Sequence, residues 1–345
     1  MNNKTIMKKI LFAIALFVFV SGFAQNQTTK ELYETAKKFM REGDYDNAAL
    51  VLNTALQKEP NNYDMQKDAV YLFFLKKDYA GALDLGKKVI ERSEADEEIF
   101  QIMGMTYKAI AEYKECTKLY RKATKKFPKS GVIYNEWGEL DAMNKNMDGA
   151  IENWVKGIEV DPNYSGNYYN ATMYYSNKSE VVFPVIIYGE IFVNLESYTA
   201  RTADIKAALL DAYKRIYLKG EIYKALQNKK TTLFERSVLE TLTKTVTMAT
   251  EGITPNQLMA IRTRFILDWF AAKNNDKFPF RLFDNLQSML KEGFFDAYNQ
   301  WIFGAAADIA TYDNWVNTND KQAGEFKKFQ NGRVFKLTPG QNYMK

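Results

Sequence analysis

A period of 34 residues governs the first half of this chain. Ala48, Ala82, Cys116 and Ala150 stand 34 apart. So do Tyr45, Tyr79, Tyr113 and Met147, and so do Pro60, Glu94, Pro128 and Pro162. One motif therefore occurs four times: an aromatic (once Met), a small residue three positions later, and a closing Pro (once Glu) twelve after that. A period of that length is the mark of a helical hairpin, which cannot bury its own apolar face and must stack on the next copy to form a core. Such stacks offer long surfaces rather than deep pockets, so the period points toward binding.

Counted from the first helical residue, the copies are 29–62, 63–96, 97–130 and 131–164. Position 4 holds Leu32, Gln66, Phe100 and Tyr134, and position 8 holds Ala36, Val70, Gly104 and Gly138. Position 11 holds Phe39, Phe73, Tyr107 and, departing from the aromatic rule, Asp141. Leu52, Gly86, Tyr120 and Trp154 stand at position 24, and Ala55, Val89, Ala123 and Gly157 at position 27. Small residues let the two helices of a hairpin approach, large ones fill the space between hairpins, and the Pro stops the second helix. The second copy lacks the Pro and has Gly86 where bulk is expected, which predicts the loosest joint.

This pattern resembles the tetratricopeptide repeat family over residues 29–164. The resemblance implies an all-α solenoid of four helical hairpins whose inner, concave face is lined by the first helix of each. In this chain the residues on that face are Tyr33, Lys37 and Met40, then Lys67, Tyr71 and Phe74, then Gln101, Met105 and Lys108, then Asn135 and Glu139, then Tyr169 and Met173. Aromatics and methionines beside polar groups suit an adaptable peptide groove. One branch of the family grips a chain-terminal carboxylate with Lys and Asn at two of these positions. Tyr33 and Lys37 stand there instead, with Asp68 where a further Asn is wanted, so that clamp is not expected.

Residues 165–198 keep the length of a fifth copy but lose its signature. Tyr168, Ala171 and Tyr175 fit a first helix, and Pro184 allows a second only if it starts there. The aromatic crowding predicts a degenerate hairpin that seals the array; a sugar-stacking surface is the alternative. Residues 199–331 read as a helical domain resembling no known family. Ile205, Leu209, Leu210, Tyr213, Ile216 and Tyr217 mark one amphipathic helix, and 231–250 a second. Thr254-Pro255 opens a third, broken at Phe278-Pro279-Phe280; 282–290 and 294–310 follow. The tail, 332–345, carries Val334, Phe335, Leu337 and Tyr343 and is expected to dock on the helices or pair with a partner.

The first 24 residues read as a secretory leader. Lys4, Lys8 and Lys9 precede an apolar run at 10–20, and Gly22 and Ala24 offer a cleavage site before Gln25. The run is too short to span a bilayer, and no Cys follows it for lipid attachment. Its ending in Ala-Gln resembles the leaders of exported Bacteroidota proteins. The expected location is the periplasm or the outer-membrane periphery, with no transmembrane segment in the mature chain.

Net charge is +5 and falls to +2 once the three leader lysines are set aside, too balanced to predict nucleic-acid binding. The chain has no His, which removes imidazole metal sites and the Ser-His-Asp and Cys-His nucleophile systems. No phosphate loop or Cys-x-x-Cys is present, and neither a metal nor a cofactor is expected. Glu235 with Glu240, and Asp308 with Asp313, are not spaced to share a helix face. The favoured reading is a non-catalytic exported adaptor for a protein or peptide partner. A glycan-binding partner of an outer-membrane importer and an enzyme sited in residues 200–332 stay open, as does the oligomeric state.

Overall fold

A computed structural model describes residues 27–178 and 182–341. The leader and Tyr343 lie outside the described residues. Within them the chain is all α: nineteen α-helices, one 3-10 turn and no strand. Residues 29–164 form four antiparallel hairpins: α1 (Thr29–Glu42) with α2 (Tyr45–Lys58), α3 (Tyr63–Leu75) with α4 (Tyr79–Val89), α5 (Glu97–Ala109) with α6 (Tyr113–Lys126), and α7 (Gly131–Met143) with α8 (Met147–Val160). The chain divides into two compact bodies at Leu119/Tyr120, inside α6.

The repeat sets each helix end chemically. Thr28, Asp44, Asn62, Asp78, Asp96, Ser130 and Asn146 each accept, through the side chain, the amide three residues on. Those bonds satisfy donors that a helix start otherwise leaves orphaned. Within each hairpin a residue one or two positions past the first helix turns through the left-handed region: Gly43 (φ 78), Lys77 (61), Ala111 (59) and Lys145 (61). Second helices stop at Lys58, Lys126 and Val160, two residues before Pro60, Pro128 and Pro162. Ala48, Ala82, Cys116 and Ala150 are completely buried.

At the second joint the space at Gly86 is filled from the next repeat. Met103 packs its thioether into the space at Gly86, so that a Cβ there would collide with the sulfur. Arg92 does the work of the missing Pro by binding the Asn61 carbonyl (2.9 Å), Gln66 (2.8 Å) and Glu94 (2.8 Å). A large flexible side chain from the next helix has replaced the expected bulk.

In the second body α9 (Ser165–Ser176) and α10 (Phe183–Leu195) make a fifth hairpin, with Pro184 in the first turn of α10. Almost every residue of α10 is buried, which makes it a central element. Tyr168, Phe183, Tyr188 and Phe192 are inside and form no outer stacking surface. After α10 come α11 (Ala200–Leu218), α12 (Glu221–Gln227), α13 (Leu233–Thr243), α14 (Pro255–Ala271), α15 (Asn274–Lys277), α16 (Arg281–Lys291), α17 (Phe295–Ala307), α18 (Ile309–Thr318) and α19 (Asp320–Gly332).

Three boundaries differ from the periodicity. The helix expected over 231–250 ends at Thr243, because the Thr245 hydroxyl is drawn to the Leu242 carbonyl (2.7 Å) and to Tyr217 (2.8 Å); a 3-10 turn, Val246–Ala249, follows. The third helix stops at Ala271 rather than at Phe278, where Lys273 turns left-handed (φ 55). The stretch 294–310 is two helices, since Asp308 is extended (ψ 116) and caps α18 by accepting the Thr311 amide.

Candidate functional site

Helices α1, α3 and α5 carry the first nine of the expected face residues, all in the first body. Tyr33 is held by its hydroxyl, which donates to Asp68 (2.7 Å), while the Lys37 ammonium lies 4.6 Å from the Tyr33 ring centroid and 2.6 Å from Glu34. Burial, then the Asp68 contact, holds the Tyr33 phenol well above its usual range. Burial also raises the Asp68 carboxyl, although the Tyr33 donor pulls the other way. Tyr71 and Phe74 stack at 6.3 Å with planes 12° apart, and Phe74 also meets Tyr79 at 6.0 Å. Both are half-buried, and among the described residues no hydrogen bond ties the Tyr71 hydroxyl. Met40, Gln101, Met105 and Lys108 are half-buried as well.

Lys67 differs from the other face residues. It is buried, with its ammonium 2.6 Å from both Asp96 and Glu98 and 5.4 Å from the Tyr63 ring. Burial by itself would lower its pKa, but the two carboxylates outweigh that and hold the charge on. Lys67 is a structural cation here and is not free to steer a partner.

In the second body the remaining four are drawn into internal packing. Asn135 is buried, donating to Glu139 (3.0 Å) and accepting from Asn170 (2.9 Å). Tyr169 donates to Asp204 on α11 (3.2 Å), packs on Phe192 and has the Arg201 guanidinium 5.1 Å from its ring. Met173 packs against the core. The tail docks on the same body: Phe335 and Leu337 are buried, and Leu337 exchanges two hydrogen bonds with Asn163 (2.9 and 3.0 Å).

The second body also holds features that the periodicity did not single out. Arg262 and Glu190 are a buried ion pair, joined by Asn299 on Arg262 and by the Tyr298 hydroxyl on Glu190 (3.0 Å). Asn194 continues this cluster to Tyr298 (2.7 Å), and Arg333 links Asn194 to Asn285 (2.6 Å). A cavity of about 520 Å³ lies between α11, α17, α18 and α19. Lys206 lines it, 3.7 Å from the Trp301 ring centroid, and burial pulls its pKa down to about 7.

No protein-family profile matches the chain. A curated relative, the TPR repeat-containing protein MJ1428 of Methanocaldococcus jannaschii, is 22% identical over 211 residues, 56% of this chain. Residues 29–164 have the hairpin fold of a tetratricopeptide repeat array. The chain spans 36% of the length of that relative. Solved structures similar to this chain include PilF of Pseudomonas aeruginosa, 14% identical, covering 61% of this chain and 96% of its own, with a TM-score of 0.45. A second is PilW, described as a widely conserved type IV pilus biogenesis factor (14% identical, 62% and 99% covered, TM-score 0.43). A tetratricopeptide repeat protein from Parabacteroides merdae is also similar (18% identical, 71% and 92% covered, TM-score 0.39). Among the described residues no helix is long and apolar enough to cross a membrane, and no group of three or more His, Cys, Asp or Glu is placed to hold a metal ion.

Proposed function

We propose that this tetratricopeptide protein is an exported, non-catalytic scaffold of the cell envelope, and that α1, α3 and α5 hold a segment of a partner polypeptide. The observation that carries this reading is the Tyr71–Phe74 pair: two large, half-exposed rings stacked on each other beside Tyr33, which is oriented by Asp68. Pre-stacked aromatics lose little rotamer freedom on binding, and an aromatic anchor of this kind contributes about 2 kcal/mol or more to a complex. Lys37 adds a cation at the rim of the same face. The envelope location rests on the leader pattern at 1–24, with Gln25 as the first mature residue.

The test replaces both Tyr71 and Phe74 by Ala and compares capture of cross-linked partners from envelope fractions, with circular dichroism as the check on folding. At about 2 kcal/mol, loss of the anchor lowers affinity roughly thirtyfold. Retention of the same partner by a folded double variant defeats the reading of this face. Protein that accumulates in the cytoplasm with residues 1–24 uncleaved defeats the location.

A further inference from the structure

The cavity between α11, α17, α18 and α19 lies wholly in the second body and shares no residue with the face on α1, α3 and α5. Its volume, about 520 Å³, is that of a small-molecule site. Its walls are aromatic. Tyr312 and Trp315 lie parallel, 10° apart at 6.4 Å, and give one flat wall; Trp301, with Tyr198 edge-on at 6.2 Å, gives another. The polar content is unequal. Lys206 and Lys327 line the cavity against a single carboxylate, Asp320, whose Oδ1 accepts the Lys321 amide (2.7 Å).

Lys206 decides the ligand's charge. Among the described residues no carboxylate or hydrogen-bond acceptor pairs with its ammonium, which rests on the Trp301 face instead. A ring face returns only part of the hydration that an ammonium loses on burial. A cationic ligand meets repulsion here, and a neutral one strips the remaining water from Lys206 without replacing it. A carboxylate supplies the missing partner, and a flat ring attached to it finds the Tyr312–Trp315 wall.

We infer that this cavity binds an aromatic carboxylate, its ring against the Tyr312–Trp315 wall and its carboxylate on Lys206. The same chemistry is offered by a free aromatic acid and by the C-terminal aromatic residue of a polypeptide. The groups facing Lys206 are Tyr198, Tyr312, Asp320 and Lys327, and α17 contributes no ionisable group to the lining. Burial holds both phenols above their usual range, so neither competes as an anion. Lys206 must carry its proton to pair with the ligand, so binding weakens as pH rises through about 7.

Calorimetric titration of the full chain tests this with 3-phenylpropionate, N-acetyl-L-phenylalanine, the corresponding amide, and a short peptide ending in Phe. Expected results are that the acids bind and that the amide binds at least about tenfold more weakly, a comparison needing no mutation. Lys206→Gln, checked for folding, weakens the acids by a similar factor, and raising the pH from about 6 to about 8 weakens them by roughly tenfold. A peptide binding far more tightly than 3-phenylpropionate identifies the source as a chain end; the reverse identifies a free acid. Equal binding of acid and amide, undiminished binding by Lys206→Gln, or no binding by any of the acids overturns the proposal.

Discussion

Gly43 and Ala111 make the same left-handed turn two repeats apart, at φ 78 and φ 59. Only the first is a glycine, and nothing within 4 Å of it would obstruct a Cβ, so the difference between the two sites is one of backbone strain alone. An L-residue in this region is strained by about 1–2 kcal/mol, and the extra freedom of an unfolded glycine offsets part of the relief. Ala111→Gly is therefore expected to stabilise the protein by roughly 0.5–1 kcal/mol, and Gly43→Ala to destabilise it by a similar amount. Urea midpoints measured on both variants check this; a lower midpoint for Ala111→Gly contradicts it.

The Tyr33 bond to Asp68 predicts a pH-dependent cost. The folded Asp68 carboxyl is raised, so its favourable contribution is full below the ordinary carboxylate value and is lost as pH rises through the raised one. At neutral pH the Tyr33 hydroxyl then offsets a half-buried charge. Tyr33→Phe should lower stability by about 1–2 kcal/mol at pH 7 and by less below the ordinary carboxylate value, where the carboxyl holds its proton. The same loss at both values would mean that the bond does not serve the charged form.

Close approach of helices within a hairpin predicts intolerance at Ala82, which is fully buried. Ala82→Leu should cost about 1–3 kcal/mol through overpacking. Lys87→Leu, at an exposed position of the same helix, should change stability by less than about 0.5 kcal/mol. Thermal melts of the two variants side by side decide the matter, and equal shifts would place the hairpin register elsewhere.

Arg262 and Glu190 predict an asymmetric response. Arg262→Met strands the Glu190 carboxylate in the core and should cost about 3–5 kcal/mol. Adding Glu190→Leu should recover a large part of that, because two apolar groups replace a desolvated pair. A double variant no more stable than the single one would show that the cluster acts as a packing unit and that its charges are incidental.

The array was legible because its information is local and repeated. Asp44, Asp78 and Asn146 recur at one helix start and Asn62, Asp96 and Ser130 at the other, each beside the helix it caps. How the space at Gly86 is filled was not legible, because Met103 stands in the next repeat, outside the positions that the pattern compares. The second body resisted reading for a related reason. Thr245 stops a helix through Tyr217, and Glu190 meets Arg262, in pairs far apart in the chain with no period to announce them. Lys67 and Tyr71 stand one turn apart on the same helix, yet Lys67 is buried by Asp96 at the end of its own repeat and by Glu98 of the next. The cavity at Lys206 draws on four helices, and no single segment carries its signature.

The two hydrogen bonds between Asn163 and Leu337 span 174 positions. During synthesis the fourth hairpin emerges long before the segment that docks on Asn163 has been made. At about 5–20 residues per second that interval is on the order of ten seconds or more. Closing so large a loop is also entropically unfavourable, so this contact forms only after the intervening helices have shortened the path between its ends. Through that interval the edge of the hairpin array at Asn163 stands open to water or to a chaperone, and the chain's own Leu337 arrives as the later competitor for it.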